Sequence, residues 1–167
     1  MSYQNHFDHA DEVFRHLSSF IHDIDPILAA KYMGFAAVAC ITVYELAIKE
    51  ILIEFSRKKH VVLGILSESM LGKINGRIVV DDIRNSYIKK FGVKYLDKFN
   101  KELKSTRDIF LSQNRRDITT SYNNLVLWRN QFAHNGVFPT QPTFDELYQN
   151  YEDGKEIIHC LFRSMKR

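Results

Sequence analysis

The sequence predicts an all-α fold, an up-and-down bundle of four to five main helices with short accessory helices. Three observations predict it. Apolar residues recur at helical spacing through most of the chain, the pattern of helices that bury one face. Helix-start signals (Asp25-Pro26, Asp117 and Thr143-Phe144-Asp145-Glu146) stand directly before such runs. Only 7 Gly and 3 Pro in 167 residues leave few places to break a helix. With 45% apolar and 26% charged residues the chain has the make-up of a globular protein with a real core, and it is expected to form a single helical domain over residues 1–167.

The first helix is expected from about Asp8 to His22, with Phe7, Ala10, Phe14, Leu17 and Ile21 on its buried face. His9 and His16 can share another face. No Cys or close carboxylate pair completes a metal site there, so a solvated face is the expectation. Asp25 then caps a long helix, Pro26 to Lys58, with proline at its first position. Its middle, Phe35 to Ile41, is apolar on nearly all sides and predicts a central helix surrounded by the others. Glu45 follows closely. A carboxylate there either faces water or takes a cationic partner, and in the second case it can orient an active-site arginine. Arg57-Lys58-Lys59-His60 reads as a solvated helix end.

Val61, Val62, Leu63, Ile65, Leu66 and Leu71 predict a short helix, ended by Gly72 and an Asn75-Gly76 turn. Arg77-Ile78-Val79-Val80 reads as a short extended piece, too little to make a sheet. Asp81 or Asp82 is expected to cap a helix containing Ile83, Tyr87, Ile88 and Phe91, broken at Gly92. The next helix, Val93 to Ser112, turns Leu96, Phe99, Leu103 and Phe110 inward. Lys90, Lys94, Lys98 and Lys101 form a basic row, either a solvated face or a strip that tracks RNA phosphates. Asp117 opens a helix with Ile118, Tyr122, Leu125, Trp128 and Phe132 along one face, widened by Val126 and Ala133, and Asn135-Gly136 stops it. After Pro139 and Pro142, Thr143 and Glu146 make a capping box for the last helix, whose apolar side carries Leu147, Tyr151, Ile157, Ile158, Leu161, Phe162 and Met165.

A formal charge of +3 permits contact with nucleic acid without demanding it. Cys40 and Cys160 fit no metal spacing and no disulfide framework, which points to a reducing, cytoplasmic setting. The first residues lack the basic start and apolar run of a signal peptide. The longest apolar stretch, Met33 to Thr42, is too short to span a bilayer, so no membrane association is expected. No cofactor and no metal site is expected.

The concentrated polar chemistry lies in Trp128-Arg129-Asn130-Gln131-Phe132-Ala133-His134-Asn135-Gly136. Asn130 and His134 are four apart on a helix and share a face, with Arg129 on its flank. Arginine is permanently charged and forks onto phosphate oxygens. Histidine moves a proton near neutral pH, and asparagine offers an amide to hold a partner or a phosphate oxygen. The set suits cleavage of RNA by its own 2′-hydroxyl, which needs proton transfer and charge stabilisation. Spacing alone is weak: Arg15 and His22 give a looser match, but without the apolar helix face, the neighbouring Asn or the glycine stop. A purely structural reading stands beside it, with Arg129 paired to Glu45 and His134 capping its own helix.

Arg129-Asn130-Gln131-Phe132-Ala133-His134 resembles the Arg-x4-6-His signature of HEPN domains, in the form where Asn follows Arg. The surroundings resemble the RiboL-PSP type of HEPN protein: a long second helix with an acidic residue, Glu45; Phe91-Gly92 followed by Tyr95 and Phe99; and a closing helix at Thr143-Phe144-Asp145-Glu146-Leu147. The resemblance implies a metal-independent endoribonuclease, acting as a homodimer in which two motifs meet across a cleft and leaving a 2′,3′-cyclic phosphate. Arg129, Asn130 and His134 would be its catalytic residues and Glu45 a supporting one. It also implies a role as a toxin or in antiphage or stress defence, with an antitoxin or regulatory protein as partner. Some members of the family only bind nucleotide, RNA or a partner protein, and that is the alternative reading.

Overall fold

The computed structural model describes residues 2–72, 74, 76–139 and 142–166. A 3-10 turn, Ser2–His6, leads into α1, Phe7–Leu17. Helix α2 is Pro26–Arg57 and α3 is Val61–Leu71. A single turn, α4 (Val80–Asp82), runs on into a π-helical segment, Ile83–Tyr87, and a 3-10 segment, Ile88–Phe91. Three long helices complete the chain: α5, Val93–Asn114; α6, Ile118–Asn135; and α7, Phe144–Met165. The result is an all-α helical bundle, with no strand among the described residues.

The helix starts lie where their capping residues put them. The Asp25 carboxylate accepts from the N–H groups of Ile27 (2.9 Å) and Leu28 (3.2 Å), ahead of Pro26. Asp117 accepts from Thr119 N–H at 2.9 Å, and the Thr143 hydroxyl accepts from Glu146 N–H at 3.1 Å. Gly136 takes a left-handed conformation (φ 67°) and closes α6 by donating to the Phe132 carbonyl at 2.8 Å. His60 caps α3 through Nδ1, which accepts from Val62 N–H at 3.2 Å, a role its place in a basic run did not suggest.

Helix α2 is central, packed by α1, α3, α6 and α7, while α5 lies against α7. At its middle Tyr44 is stacked between Tyr122 of α6 (5.3 Å) and Tyr151 of α7 (5.8 Å), all fully buried. Burial pushes the three phenols up, so they stay protonated and serve as donors. Tyr44 donates to the Tyr151 carbonyl, Tyr151 to Asp11 Oδ1 at 2.7 Å, and Tyr122 to the Ile78 carbonyl at 2.8 Å. Asp153 of α7, 1% exposed, is held by Arg116 (2.9 Å), Ser121 (3.0 Å) and Gln149 (3.1 Å), so a buried carboxylate ties α7 to the start of α6.

Several expectations are corrected. The first helix ends at Leu17 rather than His22; the chain continues in turns that still bury Ile21. Arg77–Val79 lie outside any helix or ladder, as an isolated extended piece would, but Val80, expected in that piece, already begins a helix. Asp81 and Asp82 do not cap; they lie within the first turn after Val79. Phe35 is 61% exposed, so α2 is not covered on every side. Helix α3 is turned inside out relative to its composition. Gly64, Ser67 and Leu71 face α2, with Ser67 and Ser56 hydroxyls 2.7 Å apart, while Val61, Val62, Leu63, Ile65 and Leu66 face outward. Ala133 is exposed rather than part of the apolar face of α6. Of the expected Asn75-Gly76 turn, Asn75 lies outside the described residues.

Candidate active site

Helix α6 sends a stripe of side chains (Tyr122, Val126, Arg129, Asn130, Ala133 and His134) toward the segment that follows α3. Between them lies a cleft of about 760 Å³, lined by Gly76, Arg77, Val79 and Asp82 on one side and by Val126, Arg129, Asn130, Ala133 and His134 on the other. The end of α6 is fixed by Phe132. Its ring lies so close over Gly34 of α2 that a Cβ there would collide with it, and it meets Phe35 edge-on at 5.0 Å. His134 is thereby held at the cleft rim, exposed to solvent.

Arg129 and Asn130 are half-buried, and Arg129 Nη1 donates to Asn130 Oδ1 at 2.8 Å. The bond settles the use of the Asn130 carbonyl and leaves its amide N–H groups, with further guanidinium N–H groups, for a ligand. The guanidinium lies directly over Gly76, where a Cβ would stand 2.6 Å from Nη1. Gly76 also has φ 74°, a left-handed conformation that glycine takes without strain.

The segment beneath Arg129 is held by one side chain at each of three successive residues. Glu45 Oε2 of α2 accepts from Gly76 N–H at 2.6 Å. The Tyr87 hydroxyl donates to the Arg77 carbonyl at 2.6 Å, and Tyr122 of α6 donates to the Ile78 carbonyl. Burial, then Asp82 and Glu45 nearby, pushes the Tyr87 phenol up, so it too remains a donor. A backbone strap of irregular shape is therefore tied at one peptide group of each of these residues, in place of the ladder or helix bonds it lacks.

Glu45 is part-buried and salt-bridged to Lys49 at 2.6 Å. It makes no ion pair with Arg129 among the described residues. It reaches Arg129 only through Gly76. His134 likewise makes no side-chain hydrogen bond among the described residues, so neither half of the purely structural reading matches the geometry. Arg15 and His22 stand away from this cleft; Arg15 and His16 line a separate groove between α1 and α2. Burial pushes the thiols of Cys40 and Cys160 up, which makes both poor nucleophiles. No group of three His, Cys, Asp or Glu placed to hold a metal ion occurs among the described residues.

A family model for RiboL-PSP-HEPN matches residues 5–167. The chain belongs to the RiboL-PSP-HEPN family. No curated protein and no solved structure matches it. In this HEPN chain the lysine row is apart from the cleft. Lys90, Lys94 and Lys101 are exposed on or beside α5, whereas Lys98 is half-buried, with Nζ 3.4 Å from the Lys166 carbonyl and over the Tyr95 ring. No described helix is long and apolar enough to cross a membrane. Gly76, Arg77 and Asp82 were read from sequence as part of a turn, an extended piece and a candidate helix cap, not as residues of the site. The signal available for them was slight: an isolated Asn-Gly turn followed by a cation and, a few residues on, two carboxylates.

Proposed function

We propose that this HEPN protein is an endoribonuclease that needs no metal and works as a homodimer. The observation that carries the reading is the convergence of Arg129, Asn130 and His134 on one open cleft, with Arg129 fixed from below by the strap at Gly76. RNA brings its own nucleophile. His134 takes the proton of the 2′-hydroxyl as its oxygen attacks phosphorus; the bond from phosphorus to the 5′ oxygen breaks, and a second protonated histidine gives that oxygen its proton. The products are a 2′,3′-cyclic phosphate and a 5′-hydroxyl. Arg129 stabilises the charge on the phosphorane-like transition state, and the Asn130 amide holds a phosphate oxygen. Glu45 acts through Gly76 by holding the strap.

One chain supplies one His134, and two proton transfers are better served by two. A second copy is therefore part of the reading. Leu127 on α6 (52% exposed), Phe35 against Phe132 (61%) and Val137 just after the helix (63%) are exposed apolar side chains close in the fold or chain to the motif, suited to burial against that copy. Such an enzyme would harm its own host if unchecked, so its setting is a toxin or an antiphage or stress-defence effector, restrained by an antitoxin or another regulatory protein in the cytoplasm.

The test is cleavage of RNA by purified protein with and without EDTA, with the product ends identified. Cleavage that survives chelation and leaves a 2′,3′-cyclic phosphate is expected. Arg129→Ala and His134→Ala should each lower the rate by at least about a hundredfold, the scale of a positioned acid–base or charge-stabilising group. Loss of all cutting in EDTA would sink the metal-free mechanism. Tight RNA binding without turnover would replace the enzyme by a binding module.

A further inference from the structure

We propose that Arg77 is a second phosphate-binding arginine of the cleft, gripping the phosphodiester next to the one that is cut. The inference rests on the RNA-cleaving reading above and adds to it a residue outside the Arg129–His134 motif. Arg77 lines the same cleft as Arg129, Asn130 and His134, from the opposite wall. Its side chain is exposed and holds no carboxylate among the described residues. That contrasts with Arg57, Arg84, Arg107, Arg116 and Arg163, each of which is paired with an acidic side chain. Of the other described arginines without an acidic partner, Arg129 lines this same cleft and Arg15 and Arg115 lie outside it.

The backbone that carries Arg77 is unusually well held. Glu45 ties Gly76 N–H, Tyr87 ties the Arg77 carbonyl itself, and Tyr122 ties the Ile78 carbonyl. A surface arginine that only faces water needs no such restraint. One that must meet a phosphate at a fixed distance from Arg129 gains from it, because less freedom is lost on binding. At about 760 Å³ the cleft also has room for a ligand much larger than a single phosphate. Asp82, in the same wall, is a carboxylate that disfavours a polyanion in its immediate surroundings. Arg77, Arg129 and His134 line one cleft, and in this proposal the two arginines hold successive phosphates while the histidine acts on one.

The experiment compares wild type with R77A, R77Q and R77K, each checked by circular dichroism and thermal melting. Cleavage of a short single-stranded RNA gives kcat and KM. Binding of the same fluorescent RNA is measured in a His134→Ala background across a salt series. R77A and R77Q should raise KM and Kd roughly tenfold with a smaller change in kcat, and should lower the salt slope by about 0.7, the value of one single-strand phosphate contact. R77K should restore the slope and part of the affinity. If wild type cuts RNA and R77A and R77Q match it in KM, Kd and slope, the Arg77 assignment is overturned and the ribonuclease reading stands. Should wild type bind RNA without cutting it, the reaction falls and the Kd and slope alone decide Arg77. A wild type that neither binds nor cuts overturns both.

Discussion

At Gly76 the requirements of backbone and site coincide. Its φ of 74° disfavours any side chain, and a Cβ would meet the Arg129 guanidinium. The two effects have different consequences. The backbone strain costs stability, about 1–2 kcal/mol for a non-glycine residue in this conformation. The clash costs little stability, because the far end of an arginine can swing away, but it displaces the charge on which the proposed reaction depends. Gly76→Ala is therefore expected to unfold at a modestly lower denaturant concentration, yet to cut RNA at least about tenfold more slowly, since misplacing a reacting group by an ångström is costly. A cleavage rate equal to wild type would show that Arg129 need not rest on Gly76. Glu45 separates charge from hydrogen bonding at the same point. Glu45→Gln keeps an acceptor for Gly76 N–H, while Glu45→Ala leaves that buried donor unpaired, a loss of about 1–3 kcal/mol. Urea unfolding of the two variants should rank Gln clearly above Ala; equal losses would assign the effect to the Lys49 ion pair instead.

Among the elements, the strap between α3 and α4 is where structure and site depend on one another most. Tyr122→Phe removes only a hydroxyl, but that hydroxyl satisfies the Ile78 carbonyl in the core. A loss of about 1–3 kcal/mol in unfolding free energy is expected, with slower RNA cleavage although Tyr122 touches no substrate. Unchanged cleavage would show that the strap holds its shape without this bond. The long helices were legible in the sequence because their signals are local. Asp25, Asp117, Thr143 and Gly136 each act within one turn of the chain end they define. The shared placement of Arg129, Asn130 and His134 on one helix was legible for the same reason, since a helix fixes relative positions by spacing. The other wall of the cleft was not. Gly76 faces Arg129 across 53 positions of sequence, and Glu45 reaches it across a further 31, so only the fold brings them together. The π and 3-10 turns from Ile83 to Phe91 were also hidden, because residue spacing signals a helix there without fixing its winding; Tyr87 at their junction donates to the Arg77 carbonyl. Helix α3 shows the limit of reading burial from composition: its apolar residues correctly gave a helix, but the small residues Gly64 and Ser67 set which side lies against α2.

On the scale of the whole molecule, two measurements follow. Leu127→Glu places a charge on the exposed rim of α6, away from the buried core of the bundle. It should leave the circular dichroism of the protein unchanged while lowering both self-association in light scattering and the specific rate of RNA cleavage at low concentration. A variant that is monomeric and fully active would refute the composite site. The second concerns pH. His159 of α7, bonded at Nδ1 to the Tyr3 hydroxyl at 3.0 Å, has its pKa lowered from 6.5, chiefly by burial; Arg163 and Lys155 add to the shift and Glu156 opposes it. Because the unfolded chain binds this proton more readily than the folded one, stability is unaffected above the unfolded value and falls as pH drops below about 6.5. Denaturant midpoints measured from pH 7.5 down to 5 should show the decline, and His159→Gln should flatten it. An identical decline in that variant would assign the effect to other groups.

The protein also carries its own optical probe. Its single tryptophan, Trp128, is the residue just before Arg129, 7% exposed and edge-on to Phe138 at 6.0 Å. All indole emission therefore arises from the helix that bears the motif, from a side chain inside the bundle. A ligand that pulls on Arg129 or shifts the end of α6 changes the surroundings of the one indole, which can be excited apart from the tyrosines. Occupancy of the cleft can then be followed in the unlabelled protein, by a change in the colour or intensity of its own light.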